Sequence, residues 1–215
     1  MNYGDAIEKL TVYFSSPQYE EEVLTAKREF FSDVGVDDKE SDRYEQWMNL
    51  FFDWYLFIRP ISGSNLAPSQ FALEIDDFQQ AHGDEKRLFN NLGRCTPALI
   101  QFIKEKNGYA YFKDLFNRRK IKVVSNEFVI TLEKGSICDA RIIPDDEIFY
   151  FSKGFCVHPI EVNRFILKEV KTLKKSEDHE RLGFQLDLLR MYFKMEQYSH
   201  LKLDQVYTRD SKVRF

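Results

Sequence analysis

The stretch PALIQFIKEKNGYAYFKDLF, Pro97 to Phe116, decides the fold. Asn107-Gly108 supplies the two left-handed positions of a tight hairpin turn, and the residues on either side alternate in polarity as paired strands do. Ala98 to Lys106 and Tyr109 to Phe116 therefore read as two antiparallel strands. Downstream, Lys120 to Val124, Phe128 to Leu132, Ile137 to Ile143 and Glu147 to Val157 read as further short strands. Glu133 to Ser136 and Pro144 to Asp146 form turns among them. So many short strands in succession predict a small antiparallel sheet or half-open barrel.

Outward from this centre the period changes to that of helices. Upstream, Tyr3, Ile7, Leu10 and Phe14 recur at helical spacing. Tyr19, Val23, Ala26, Phe30 and Val34 do the same, with Ser16 placed to cap, Pro17 at the first helical position and Gly35 as the stop. A third helix from Ser41 or Asp42 to Ile58 is apolar at nearly every position of its second half except Asp53, so it should be buried on most faces. Ser69 to Phe78 resumes a helical pattern, and Asp84 to Leu92 adds a short turn. Downstream, Pro159 opens a helix bearing Val162, Phe165, Ile166, Val170 and Leu173. A second runs from Ser176 to about His200 with Leu182, Leu186, Leu189 and Phe193 on its face. Helices, then strands, then helices predict an α+β fold: an N-terminal helical layer (1–94), a small antiparallel β region (95–158) and two C-terminal helices with a tail (159–215), in one compact body.

The 215 residues carry a formal net charge of −4, with 43% hydrophobic residues, 20 Phe, 9 Gly and 6 Pro, which supports a sizeable core and excludes a low-complexity chain. That charge is uneven: residues 1–100 hold 18 acidic and 9 basic side chains, the remainder 17 and 22. Two layers of one body attracting each other, or a partner surface on either, account for such a split. No apolar run reaches membrane-spanning length, and Cys95, Cys138 and Cys156 do not form a secreted disulfide pattern. A cytoplasmic location is expected. Phosphate-cradling loops, a nucleophile elbow and zinc-protease spacing do not occur in the sequence.

Phe52-Asp53-Trp54-Tyr55-Leu56-Phe57, ahead of a Pro-containing loop, resembles the aromatic helix motif of an uncharacterised family of bacterial cytosolic proteins. The run from Leu132 to Pro144 and the run from Phe151 to Pro159 are similar to the middle region of the same group. Some relatives in that group carry a C-terminal cysteine-rich zinc segment of the SEC-C type. Leu201 to Phe215 contains no cysteine, so the resemblance implies bacterial origin but no metal role.

Several constellations bear on function. Cys156-Val157-His158 places a thiol and an imidazole two apart, but two further zinc ligands are missing, so His158 as a strand end and cap of the next helix is the preferred reading. Asp37-Asp38, Asp76-Asp77 and Asp145-Asp146 read as solvated turns or helix faces. Asp53 would need a partner if buried, and Arg43, Arg59 or Arg141 are candidates for a structural ion pair. Lys168, Lys171, Lys174 and Lys175 form a basic ridge that complements a helix C-terminus.

The best candidate for contact with anions is Arg118, Arg119, Lys120 and Lys122. On a strand Lys120 and Lys122 share a face, and Tyr109 and Tyr111 on the neighbouring strand offer stacking surfaces, as in single-stranded nucleic-acid binding. No catalytic, cofactor or metal residues are assigned. The expected function is noncatalytic protein–protein interaction. The alternatives are nucleic-acid or nucleotide-phosphate binding through that strand and, weaker, a hydrolase with a pocket around Asp53 or Cys156.

Overall fold

The computed structural model describes residues 1–35, 43–125, 129–198 and 200–209. Five strands form a closed barrel: β1 (Thr96–Lys106), β2 (Tyr109–Asp114), β3 (Lys120–Val124), β4 (Ile137–Asp145) and β5 (Ile148–His158), in the order β1-β2-β3-β5-β4 with β4 back on β1. The β1–β2 hairpin turns at Asn107 (φ 54°) and Gly108 (φ 75°), the two left-handed residues that the sequence supplies. All pairings are antiparallel except β3 with β5, where Val123 stands against Phe149. That one parallel pairing closes what the sequence leaves as a half-open barrel. The connectivity is that of a five-stranded Greek-key barrel of the OB type.

Helices lie on both sides of the barrel, confirming α+β. The N-terminal layer comprises α1 (Tyr3–Phe14), α2 (Glu20–Val34), α3 (Tyr44–Phe57), α4 (Pro68–Phe71), α5 (Asp76–Gln79) and α6 (Gly83–Leu92). Downstream come α7 (Asn163–Thr172), α8 (Asp178–Gln197) and the short α9 (Leu203–Val206). Among the described residues no helix is long and apolar enough to cross a membrane.

Three apolar clusters organise the packing. Ala98, Ile100, Phe112, Ile121, Val123 and Ile142 fill the barrel. The N-terminal helices bury Phe14, Phe30, Phe51, Tyr55 and Phe89 against the outer side of β4 and β5, where Ile143 and Cys156 join them. Leu99, Leu115 and Ile137 meet Ile166, Phe184 and Leu188 of the C-terminal helices. The expectation for α3 holds, since Asp53 through Phe57 are all buried.

Several local expectations change. Ser16 makes no cap bond, because a 3₁₀ turn at Pro17–Tyr19 intervenes before α2, although Gly35 (φ 71°) ends that helix as expected. The Ser41 or Asp42 start of the third helix lies outside the described residues, as do Asp37-Asp38, Phe128 and the tail 210–215. Val129–Thr131 is a 3₁₀ turn rather than strand, and Ser69 to Phe78 is broken into α4, a turn and α5. The face of α8 also differs: Phe184, Leu188 and Met191 are buried against the C-terminal cluster, and Leu189, Tyr192 and Phe193 against the N-terminal one. A helix wedged between two cores needs two apolar faces, so its sequence shows no single clean stripe.

Candidate functional site

Strand register places side chains on the outer face of β1, β2 and β3 in rows. Directly opposed residues share a face, so Lys104, Tyr111 and Lys122 form one row, with Lys104 paired to Tyr111 and Tyr111 to Lys122. Lys106, Tyr109 and Val124 form the next, and Gln101, Lys113 and Lys120 a third. The opposite parity, Ala110, Phe112, Ile121 and Val123, fills the barrel, which is why this face carries only what the core does not need.

The result is a lattice of five lysines around two half-buried tyrosine rings, with no carboxylate in any of the three rows. Lys122 Nζ lies 3.8 Å from the Tyr109 ring centroid, and Lys104 Nζ 5.6 Å from that of Tyr111. Among the described residues none of these five lysines is in an ion pair, so their charge is directed to solvent. The nearest acidic neighbour along β1, Glu105, accepts a bond from Ser125 Oγ at 2.7 Å.

The basic run from Arg118 to Lys122 is divided by the fold. Lys120 and Lys122 stand on the lattice with Tyr109 and Tyr111. Arg118 is an exposed turn residue with φ 57°, its N–H donating to the Asp114 carbonyl at 2.8 Å. Arg119 donates through Nε to the buried Asp114 at 3.3 Å, and its guanidinium lies 5.7 Å from the Phe149 ring centroid. Asp114 also accepts from the Asn117 backbone at 3.0 Å and side chain at 2.9 Å, so Arg119 helps build the β2–β3 turn. Lys104, Lys106 and Lys113 lie outside the basic run that the sequence points to. The Asn107-Gly108 register, carried back along β1, puts Lys104 opposite Tyr111.

Asp53 occupies a different place. It is 2% exposed, on α3, and its Oδ2 accepts from Ser152 Oγ and from the Gly154 N–H at 2.9 Å, both on β5. Burial pushes its pKa up to about 7 against the pull of Ser152, Arg141 and Gly154. Of the three expected ion partners, Arg141 is the one that acts on it, but Arg141 is bonded to Asp139 at 2.5 Å. Arg59 binds Glu22 and Glu29, and Arg43 binds Glu196.

His158 ends β5 as expected but caps no helix. Its Nδ1 is 3.1 Å from Tyr207 Oη on the α9 side, and burial lowers its pKa to about 3. Burial pushes the Cys156 thiol up, which keeps it in the poorly nucleophilic form at neutral pH. Among the described residues no group of three or more His, Cys, Asp and Glu is arranged to hold a metal ion. Asp76 and Asp77 open α5. Asp145 is buried and bonded to Arg87 and Asn91, while Asp146 (φ 53°) makes the β4–β5 turn. Lys168 and Lys171 lie exposed on α7, with Lys174 and Lys175 in the turn after it.

No curated protein matches the chain in sequence. A family model does match, over residues 16–199, from the turn ahead of α2 to just past the end of α8 with the whole barrel between, and the chain belongs to that family of unknown function (DUF7986).

Proposed function

We infer that the outer β1-β2-β3 face binds single-stranded nucleic acid without doing chemistry on it, in the bacterial cytosol that the sequence suggests as its setting. The Lys104–Tyr111–Lys122 row carries this reading: a ring that can stack on a base, flanked on both sides by cations that can take the adjoining phosphates. The strands β2 and β3 are also the face on which OB-type barrels hold oligonucleotides. Tyr109 and Tyr111 are two residues apart on one strand, about 7 Å by strand rise, which suits two successive bases of an extended strand. The lysines now lying over the rings are long and solvent-facing, so each can move to a phosphate while a base takes its place. A slightly acidic chain serves this role because its basic charge is concentrated here.

An acidic protein segment is the second reading, favoured by the same five unpaired lysines and in keeping with a protein-interaction role. Titration of fluorescent oligonucleotides across a salt ramp separates the two. Tyr111→Ala is expected to weaken oligonucleotide binding about fivefold or more, which corresponds to about 1–3 kcal/mol for one stacked base. Lys104→Ala and Lys122→Ala are each expected to reduce the salt slope by roughly 0.7, the value for one single-strand phosphate. Arg119→Ala should act chiefly on the β2–β3 turn. Binding that ignores Tyr111 but weakens with each lysine would favour the acidic protein segment, and absence of oligonucleotide binding at low salt would overturn the reading.

A further inference from the structure

A second site lies on the far side of β5, where the strand is bulged. Ala140 pairs with Phe155 and Ile142 with Phe151, so Ser152, Lys153 and Gly154 together stand opposite Arg141 alone. A bulge re-aims the side chains it carries and is common beside active sites. Here it turns both the Ser152 hydroxyl and the Gly154 N–H onto the same carboxylate oxygen of Asp53. In front of Ser152 is a cavity of about 390 Å³ walled by Ile7, Asn49, Phe151, Lys153 and Phe155. The buried Arg141–Asp139 pair acts on Asp53 through its charges.

We propose that Ser152 is a nucleophile for small carboxylic esters and that Asp53 is its general base. A serine hydroxyl bonded to a base within hydrogen-bond reach, with that base also held by the Gly154 N–H, is the geometry of an activated nucleophile. Asp53 fits the base role because Arg141 spends its charge on Asp139, which leaves the Asp53 carboxylate without a full counter-ion. Burial brings its pKa to about 7, the basicity that histidine has elsewhere. The Gly154 N–H holds the carboxylate in place without supplying a proton it must give up. Cys95, buried nearby, stays a neutral thiol because burial raises its pKa well above the ordinary value.

In the reaction the Ser152 Oγ–H proton passes to Asp53 Oδ2 as Oγ bonds to the ester carbonyl carbon. The bond from that carbon to the alkoxy oxygen breaks, and Asp53 returns the proton to the leaving alcohol. Water then attacks the acyl-serine while giving its proton to Asp53. The carbon–Oγ bond breaks and Oγ recovers that proton, so the net change is ester plus water to acid plus alcohol. Lys153 lines the cavity with its Nζ held by Glu8 at 2.9 Å. The modest volume, with Ile7, Phe151 and Phe155 beside the polar Asn49 and Lys153, suits short acyl groups.

The test uses the intact protein. A fluorophosphonate probe is expected to label the peptide containing Ser152, located by mass spectrometry, and Ser152→Ala should abolish the label. With p-nitrophenyl butyrate, Ser152→Ala is expected to lower kcat/KM at least a hundredfold. The wild-type pH profile should rise with an inflection near 7, and Asp53→Asn should lose that limb while circular dichroism shows a folded chain. Labelling of the wild-type serine does not depend on whether Asp53→Asn folds. An unlabelled Ser152 in the folded protein, together with hydrolysis no faster than that of Ser152→Ala from pH 5 to 9, would overturn the proposal.

Discussion

Gly154→Val is expected to lower the unfolding free energy by about 3 kcal/mol or more, the upper range for overpacking a closed interior. A Cβ at Gly154 would lie 2.6 Å from Asp53 Oδ2, 2.7 Å from Asp53 Cγ and 2.8 Å from the backbone oxygen of Asn49. The carboxyl group cannot swing away without giving up the Ser152 and Gly154 bonds that satisfy it. Asn49 O belongs to the helical backbone of α3, so relief requires moving the aromatic helix off the barrel. That helix carries Phe51, Trp54 and Tyr55 into the largest apolar cluster, and the loss therefore spreads through the N-terminal layer. Gly183, within α8, provides the contrast, because nothing stands within 4 Å of a Cβ built there. Gly183→Ala should raise stability by about 0.5–1 kcal/mol through helix propensity alone. Denaturant unfolding of both variants checks the pair, and equal effects at the two glycines would contradict the close approach of α3 to β5.

The second large effect is in the pH dependence of stability, where two buried groups oppose each other. Asp53 has its folded pKa raised by burial from 3.8 to about 7, so the folded state holds a proton that the unfolded state has released. Its contribution is fully present below 3.8 and is lost as pH rises towards 7. His158 has its folded pKa lowered by burial from 6.5 to about 3, so its contribution is present above 6.5 and is lost as pH falls. Between pH 7.5 and 5 these amount to about 3 kcal/mol in favour of acid for Asp53 and about 2 kcal/mol against it for His158. The wild type should accordingly change little from these two groups. Asp53→Asn, which keeps an oxygen to accept from Ser152 and Gly154, should lose about 2 kcal/mol on going from pH 7.5 to 5. His158→Gln should gain about 3 kcal/mol over the same interval. Asp139, also raised by burial, acts in the sense of Asp53 and remains in both variants, and because its charge helps raise Asp53 the Asp53→Asn difference reads the two together. Urea unfolding of the three proteins at pH 5, 6 and 7.5 reads this directly. Parallel profiles would mean that neither group is buried as the structure has it.

Much of the lysine–tyrosine face is legible in the sequence because hairpin register is a local property. Asn107-Gly108 fixes which residues of β1 and β2 oppose each other, and alternation then separates Tyr109, Tyr111 and Lys113 from Ala110 and Phe112. Lys120 and Lys122 follow from the same period on β3. The part of the run that the fold withdraws, Arg119, was not legible, since its bond to Asp114 depends on how the β2–β3 turn closes. At Asp53 the sequence exposes a carboxyl in an apolar helix and hence a need for partners. It does not reveal that the partners are Ser152 and Gly154, because those residues are about a hundred positions away and are aimed by a bulge that has no local signature.

The sequence by itself determines the helix–strand–helix order, the hairpin at Asn107-Gly108, the burial of α3 and the concentration of basic charge after residue 100. These rest on period, turn chemistry and composition, which act between near neighbours. Tertiary structure alone decides the parallel β3–β5 pairing that closes the barrel, the two buried faces of α8, the assembly of five lysines around two tyrosines, and the meeting of Ser152 and Gly154 at Asp53. Each of these joins segments far apart in the chain, where the outcome is set by how whole elements pack and which polar groups must find partners once water is excluded.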